Sequence, residues 1–302
     1  MNRKEFIKNS VGAVAIAAMA PSVFGRSLGM TGSKFKPSIK LACKFNMVKD
    51  DNLSILEKFR MLKEIGYDGT ELDSPNDFDN REVIEARDKT GLEIPSVICS
   101  KHWSSPLSSP DPKVREQCVE AMKTALTDCQ AYGGTSVLLV PAVVNKDVSY
   151  DDAYKRSQAE IKKILPFSAK TGVKIAIENV WNNFLLSPLE AARYIDEFND
   201  PMIGWHFDIG NIVRYGWPEQ WIRILNKRIL KLDVKGYSRK KEQEEGVWKG
   251  FDVEIGDDDN NWPAVMNALD DIGYNGWASA EVKGGARPRM QQIYDEMVKV
   301  LR

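Results

Sequence analysis

From residue 38 onward, short β-rich apolar runs alternate with longer stretches in which apolar side chains recur every three to four positions. The first run, at 40–45, reads as a strand. It is followed at 53–65 by a stretch with Ile55, Leu56, Phe59 and Leu62 on one helical face. The same logic predicts strands at 69–72, 94–100, 136–140, 173–180, 203–209, 229–235 and 277–282. It predicts helices at 81–89, 111–132, 151–170, 191–198, 217–226, 263–272 and 290–301. Gly66, Gly91, Gly133, Gly172 and Gly273 each stand where a helical pattern stops and a strand pattern follows. A glycine stop before a β-rich run is the signature of an αβ turn, and its recurrence marks a repeated βα unit. Eight strands alternating with helices predict an α/β protein built as a single (β/α)8 barrel over residues 38–302. An open doubly wound sheet is the alternative. It normally carries a glycine-rich phosphate turn, and neither G-x-G-x-x-G nor G-x-x-x-x-G-K-[ST] occurs.

Residues 1–26 have a different pattern. Arg3, Lys4 and Lys8 precede the uninterrupted small and apolar run 11–20, which ends in Ala18-Met19-Ala20. These are the basic, apolar and small-residue regions of an export signal, too short to span a membrane as a mature helix. Residues 2–8 resemble a twin-arginine signal with Lys4 in place of the second arginine, so the twin-arginine and general secretory routes both stay open. The expectation is a removed signal at 1–26, a linker at 27–37 and an exported, periplasmic barrel with no stable membrane insertion.

The chain has 302 residues, with 42 Lys+Arg against 43 Asp+Glu and a formal net charge of −1. Removing residues 1–26 takes away four basic residues and one acidic one, leaving about −4. That balance excludes a protein that grips nucleic acid through a basic face. Only His102 and His206 are present, so a mechanism needing three imidazoles is excluded. Cys118 and Cys129 fall eleven residues apart on one predicted helix, about 16 Å of rise. A disulfide needs Cα atoms within about 7 Å, so these two do not pair. Cys43 and Cys99 sit in predicted strands as small buried hydrophobes.

In a (β/α)8 barrel, chemistry sits where strands end. Polar residues at those ends are Glu71, Lys101, His102, Glu178, Asp208, Asp233 and Glu281. The last four interrupt apolar runs on four consecutive strands. Like charges at one mouth repel unless a positive group lies among them, and a divalent cation meets that need. All-oxygen donors suit Mn²⁺ or Mg²⁺, with Zn²⁺ and Co²⁺ also compatible.

Several motifs carry a family resemblance. They are Gly66-Tyr67-Asp68-Gly69-Thr70-Glu71-Leu72, Ile177-Glu178-Asn179, Phe207-Asp208-Ile209-Gly210-Asn211, Glu254-Ile255-Gly256-Asp257 with Trp262, and Ala280-Glu281-Val282. Over residues 38–302 the chain resembles the sugar phosphate isomerase/epimerase group of xylose isomerase-like TIM barrels. The resemblance implies a metal-dependent isomerase or epimerase acting on a ketose or keto-sugar through an enediolate. Glu178 and Glu281 would be the acid/base pair, and Glu178, Asp208, Asp233 and Glu281 the metal ligands. Substrate contacts would come from His102, Asn211, Arg239, Lys235, Glu71 and Trp181. Two positions depart from the family. Asp233 stands where the family has a strand-7 metal histidine, and Asn211 where the epimerases have a substrate histidine. Asp233 then either ligates or pairs with Lys235. Loss of a β-hydroxyl or glycosidic group from the same enediolate would instead make the protein a dehydratase or lyase. A sugar-binding barrel without turnover is the third reading. The expected partner is a small carbohydrate, with a homo-oligomer left open.

The remaining features have plainer readings. His206 lies two residues before Asp208, on the same inward face but deeper, as a core histidine. Trp103, Trp181 and Trp248 fall in βα loops, where they either stack on a sugar ring or pack the rim. Asp257-Asp258-Asp259 reads as a helix-capping turn, and 240–245 as a solvated loop of mixed charge.

Overall fold

The computed structural model describes residues 37–302. The expected export signal and nearly all of the linker lie outside the described residues. Eight parallel strands close into a barrel in sequence order: β1 (Ile39–Lys44), β2 (Gly69–Ser74), β3 (Ser96–Cys99), β4 (Ser136–Leu139), β5 (Lys174–Glu178), β6 (Ile203–Asp208), β7 (Ile229–Val234) and β8 (Gly276–Ala280). Closure is made by β1 against β8, in register from Ile39 opposite Gly276 to Cys43 opposite Ala280. The helices among the described residues are α1 (Ile55–Ile65), α2 (Asn80–Thr90), α3 (Pro112–Tyr132), α4 (Tyr150–Thr171), α5 (Pro188–Asp196), α6 (Ile209–Val213), α7 (Pro218–Leu225), α8 (Arg239–Glu245), α9 (Trp262–Asp271) and α10 (Arg287–Leu301). None of them is long and apolar enough to cross a membrane. The (β/α)8 expectation is met.

Local chemistry sets the helix ends. The Ser54 side chain accepts from the Glu57 amide while Glu57 reaches back to the Ser54 amide, a reciprocal cap on α1. Asp111 caps α3 with Pro112 in its first turn, and Gly133 ends it at φ 82° in the left-handed region.

The apolar core lies between the strands and the helices. Leu41, Leu72, Val97, Val137, Leu139, Ile175, Ile177, Trp205, Phe207 and Leu232 are all fully buried there. Inside the ring the alternate positions are small or ionic. Lys44, Glu71, Ser96, His206 and Asp233 contact one another, and Lys231 donates to the Thr135 hydroxyl at 3.0 Å. This barrel therefore holds buried charge in the centre, where branched aliphatics usually pack.

Two local expectations are corrected. Residues 239–245 form α8, capped by the Ser238 side chain, although 240–245 reads as a loop. The segment has no apolar stripe, so periodicity is silent there. The cap of α9 is Asn261, not the acidic triplet. Asp258 instead accepts from the Gly256 and Asn260 amides and the Trp262 indole, folding the loop before the helix.

Candidate active site

Glu178 ends β5, Asp208 ends β6, Asp233 is the penultimate residue of β7, and Glu281 directly follows β8. Strand pairing of Asp208 with Asp233, and a hydrogen bond from the Glu281 backbone N–H to the Val234 carbonyl at 3.0 Å, stagger them around one side of the ring. One oxygen from each of these four carboxylates lies within 4.8 Å of the others. Asp208 and Asp233 have no exposure, Glu178 has 7%, and the Glu281 side chain keeps 41%.

Two lysines offset this charge. Lys235 Nζ lies 2.8 Å from Asp208 Oδ2 and 2.8 Å from Glu281 Oε2. Lys44 Nζ lies 2.6 Å from Glu71 Oε2 and 2.7 Å from Asp233 Oδ1. His206 Nε2 approaches the same Asp233 Oδ1 to 2.9 Å. Asp233 therefore pairs with Lys44 and His206, not with Lys235, and its second oxygen is left free. Asp208 Oδ2, Asp233 Oδ2 and Glu281 Oε2 are buried and receive no aligned hydrogen bond, Lys235 being close to two of them but poorly directed. Buried anionic oxygens this close together, with only the Lys235 ammonium against two of them, are a donor set fit for a hard divalent cation. The residues that could hold it are Glu178, Asp208, Asp233 and Glu281.

The carboxyls respond to their surroundings in different directions. Burial, then the charges of Glu281, Asp233 and Asp208, hold Glu178 well above the ordinary range. Burial pushes Asp208 up to about 7, against the pull of Lys235. Burial acts on Asp233 in the same sense, but His206 and Lys44 overcome it and hold that carboxyl below its ordinary range.

Neighbouring side chains fix the frame. The Asn179 carboxamide accepts from the Trp205 indole and the Asp208 amide at 2.9 and 3.0 Å, and donates to the Asp208 carbonyl at 2.7 Å. Asn211 donates its amide to Asp208 Oδ1 at 2.9 Å and its side chain to the Asn179 carbonyl, and its own carbonyl takes the Trp181 indole at 2.9 Å. Gly210 allows this turn to pass the β7 end, because a Cβ there would stand 2.6 Å from the Lys235 carbonyl oxygen.

Above the carboxylates lies a cavity of about 670 Å³. Glu178, Glu281, Lys235, Asn211, Trp181 and His102 line it, whereas Asp208 and Asp233 lie beneath its floor. His102 is held by the Val140 amide, which donates to Nδ1 at 3.2 Å. Two expected contacts are corrected. Glu71 does not reach the cavity: β2 continues to Ser74, so Asp73 takes the lining position and Glu71 lies one layer down, bonded to Lys44 and Ser96. Arg239 also lies away from the cavity, at the start of α8, donating to the Gly216 carbonyl and covering Trp217. Lys44, Asp73 and Asn179 are site residues to which the sequence reading gave no role. The available signal was Lys44, a lysine directly after the apolar run Leu41-Ala42-Cys43.

Burial pushes the His102 imidazole down to about 4. The folded chain thus keeps this ring neutral while the unfolded chain protonates near 6.5. The contribution is complete above pH 6.5 and is lost as pH falls towards 4, about 2 kcal/mol by pH 5. Urea unfolding at pH 7 and pH 5 measures it, and His102→Gln is expected to lose correspondingly less stability between the two. Equal losses in both proteins would contradict this assignment.

Residues 59–302 match the family described as xylose isomerase-like TIM barrel. L-ribulose-5-phosphate 3-epimerase UlaE of Escherichia coli O1:K1 is 27% identical over 169 residues, 52% of this chain. The match spans 59% of that relative's length. A D-tagatose 3-epimerase-like protein superimposes with a TM-score of 0.72 at 19% identity, covering 87% of this chain and 98% of that one. The E. coli 3-keto-D-glucoside 4-epimerase YcjR does so with a TM-score of 0.72 at 17% identity, over 87% and 99%. At such identities the two structures share the fold alone. The family match instead runs from α1 to the last residue and takes in all four converging carboxylates, and by it the chain belongs to the xylose isomerase-like TIM barrels.

Proposed function

We propose that this protein is a metal-dependent sugar isomerase or epimerase acting on a ketose or keto-sugar by proton transfer beside the carbonyl. The observation that carries the reading is the division among the four carboxylates. Glu178 and Glu281 open into the cavity while Asp208 and Asp233 stay beneath it. Two groups that reach a substrate can exchange protons with it, and two that do not are left to hold charge. A divalent ion at these oxygens would supply Lewis-acid polarisation of the substrate carbonyl and offset the crowded negative charge. Glu178, which a cation among these carboxylates would favour in its ionised form, takes the proton from the carbon beside the carbonyl, leaving an enediolate, and Glu281 returns a proton from the other side. Lys235, which lies against Glu281 and Asp208, sets its ammonium where the negative charge of the enediolate develops. The epimerase names among the relatives support this class of reaction.

Deuterium exchange tests it. Protein supplied with Mn²⁺ in D₂O should label the carbon beside the carbonyl of a ketose or keto-glycoside and, in the epimerase case, yield the second epimer. Labelling accompanied by loss of a β-hydroxyl or glycosidic group would assign the enediolate to a dehydratase or lyase. No labelling of any sugar, with Mn²⁺ bound, would leave a binding protein and overturn the proposal.

A further inference from the structure

The cavity is larger than one sugar ring requires. If each heavy atom claims as much as a water does in the liquid, about 30 Å³, a twelve-atom hexose fills at most ~360 Å³. The cavity holds about 670 Å³. A two-ring glycoside of twenty-three heavy atoms needs ~690 Å³ at the same generous packing. Two exposed tryptophans belong to the same lining. Trp248, in the loop after β7, is 68% exposed, and Trp103, after β3, is 52% exposed. Both line this cavity. They come from the segments after β3 and β7, strands four places apart in the closed ring of eight. Trp248 is backed by Trp181 at 5.0 Å between ring centres, and Trp181 by Phe251 at 4.7 Å. A supported indole face left open to solvent among the described residues is an apolar platform, and two of them on the lining of one cavity offer an aromatic clamp.

We propose that Trp103 and Trp248 form an outer subsite for a second ring, so that the substrate is a glycoside carrying its carbonyl on the ring held over Glu178 and Glu281. Pyranose rings present flat C–H faces that cover an indole, while their hydroxyls stay in water at the rim. The outer ring is held by stacking on the aromatic clamp, and the inner ring by the polar floor of Lys235, His102 and Asn211. The inference rests on the sugar-directed reading of the cavity, but its first measurement requires no turnover.

The test is calorimetric binding of cellobiose, maltose and lactose, none of which carries a ketone, against glucose. At least one two-ring sugar should bind about tenfold or more tightly than glucose. Trp248→Ala and Trp103→Ala should each erase most of that ratio, and Trp217→Ala, an exposed tryptophan outside the cavity, should preserve it. Equal affinity for one and two rings, or a preference that survives both cavity substitutions, overturns the subsite. If a free ketose is still labelled in D₂O in that case, only the second ring falls and the proton-transfer reading stands. If the two-ring preference holds and is lost in the variants while no sugar is labelled, the subsite stands and the catalytic reading falls.

Discussion

Epimerisation in the Glu178→Gln and Glu281→Gln proteins is expected to fall by about 10²–10⁴-fold each, the range that loss of one positioned proton-transfer group produces. The substitution keeps the shape of the side chain, removes its ability to carry the proton and takes one anionic oxygen from the set that could hold the ion, so bound metal is measured alongside. Of the four carboxylates at the centre, these two reach the cavity, so loss of either should not be made good by Asp208 or Asp233. The decline should also be lopsided. With carboxylates on two sides of the reacting carbon, each variant retains one of them. Solvent exchange should therefore persist from one epimer and vanish from the other, with the surviving epimer opposite in the two variants. Deuterium content of both epimers by NMR, with circular dichroism to check the fold, measures it. Variants as active as the unchanged protein, or identical in their exchange pattern, would remove the paired roles.

Lys44→Met is expected to destabilise the fold by about 3–5 kcal/mol, the cost of leaving a buried charge without its partner. Lys44 is 2% exposed and lies between Glu71 and Asp233, which are themselves buried. Burial disfavours its charged form, yet Asp233 and Glu71 together hold its pKa well above the ordinary value. Removing the ammonium leaves two carboxylates facing each other in a dry interior. At about 2–4 °C per kcal/mol for a domain of this size, the melting temperature should drop by roughly 10 °C. Lys40, four residues earlier on the same strand, is the control. It pairs with Glu93 where both side chains are half exposed, so Lys40→Met should cost no more than about 1 kcal/mol. The double variant Lys44→Met/Glu71→Gln should recover part of the loss by removing one of the stranded charges. Equal melting of the Lys44→Met and Lys40→Met proteins would show that the central charges do not depend on this lysine.

The barrel and the four acidic residues at its mouth were legible in the sequence because each has a local mark. Gly133 and Gly172 end their helices with left-handed backbone that glycine tolerates, and Glu178, Asp208, Asp233 and Glu281 each break an apolar run. What was not legible depends on depth and on contacts across the ring. A one-dimensional reading ends β2 at Leu72, where the apolar residues stop, so it puts Glu71 at the mouth. The strand runs two residues further, and two residues is one full layer of a barrel interior. Lys44 meets Asp233 across 189 positions of sequence, and no periodicity reports such a pair. Arg239 was implied as a substrate contact by the family resemblance, but α8 begins there and its guanidinium donates to the Gly216 carbonyl.

The contact between Lys44 and Asp233 has a consequence for how the molecule is assembled. The acidic residues come from the last four strands, while the lysine that neutralises the deepest of them comes from the first. A growing chain that has produced β5 to β7 carries Lys235 for Asp208 and His206 for Asp233, but Asp233 still lacks its contact with Lys44. That contact forms only when β8 docks on β1 and brings the two ends of the sheet together. Completion of the cylinder and creation of its reactive centre are thus a single event, and a fragment from either half would lack the other's charge and could not preserve the site.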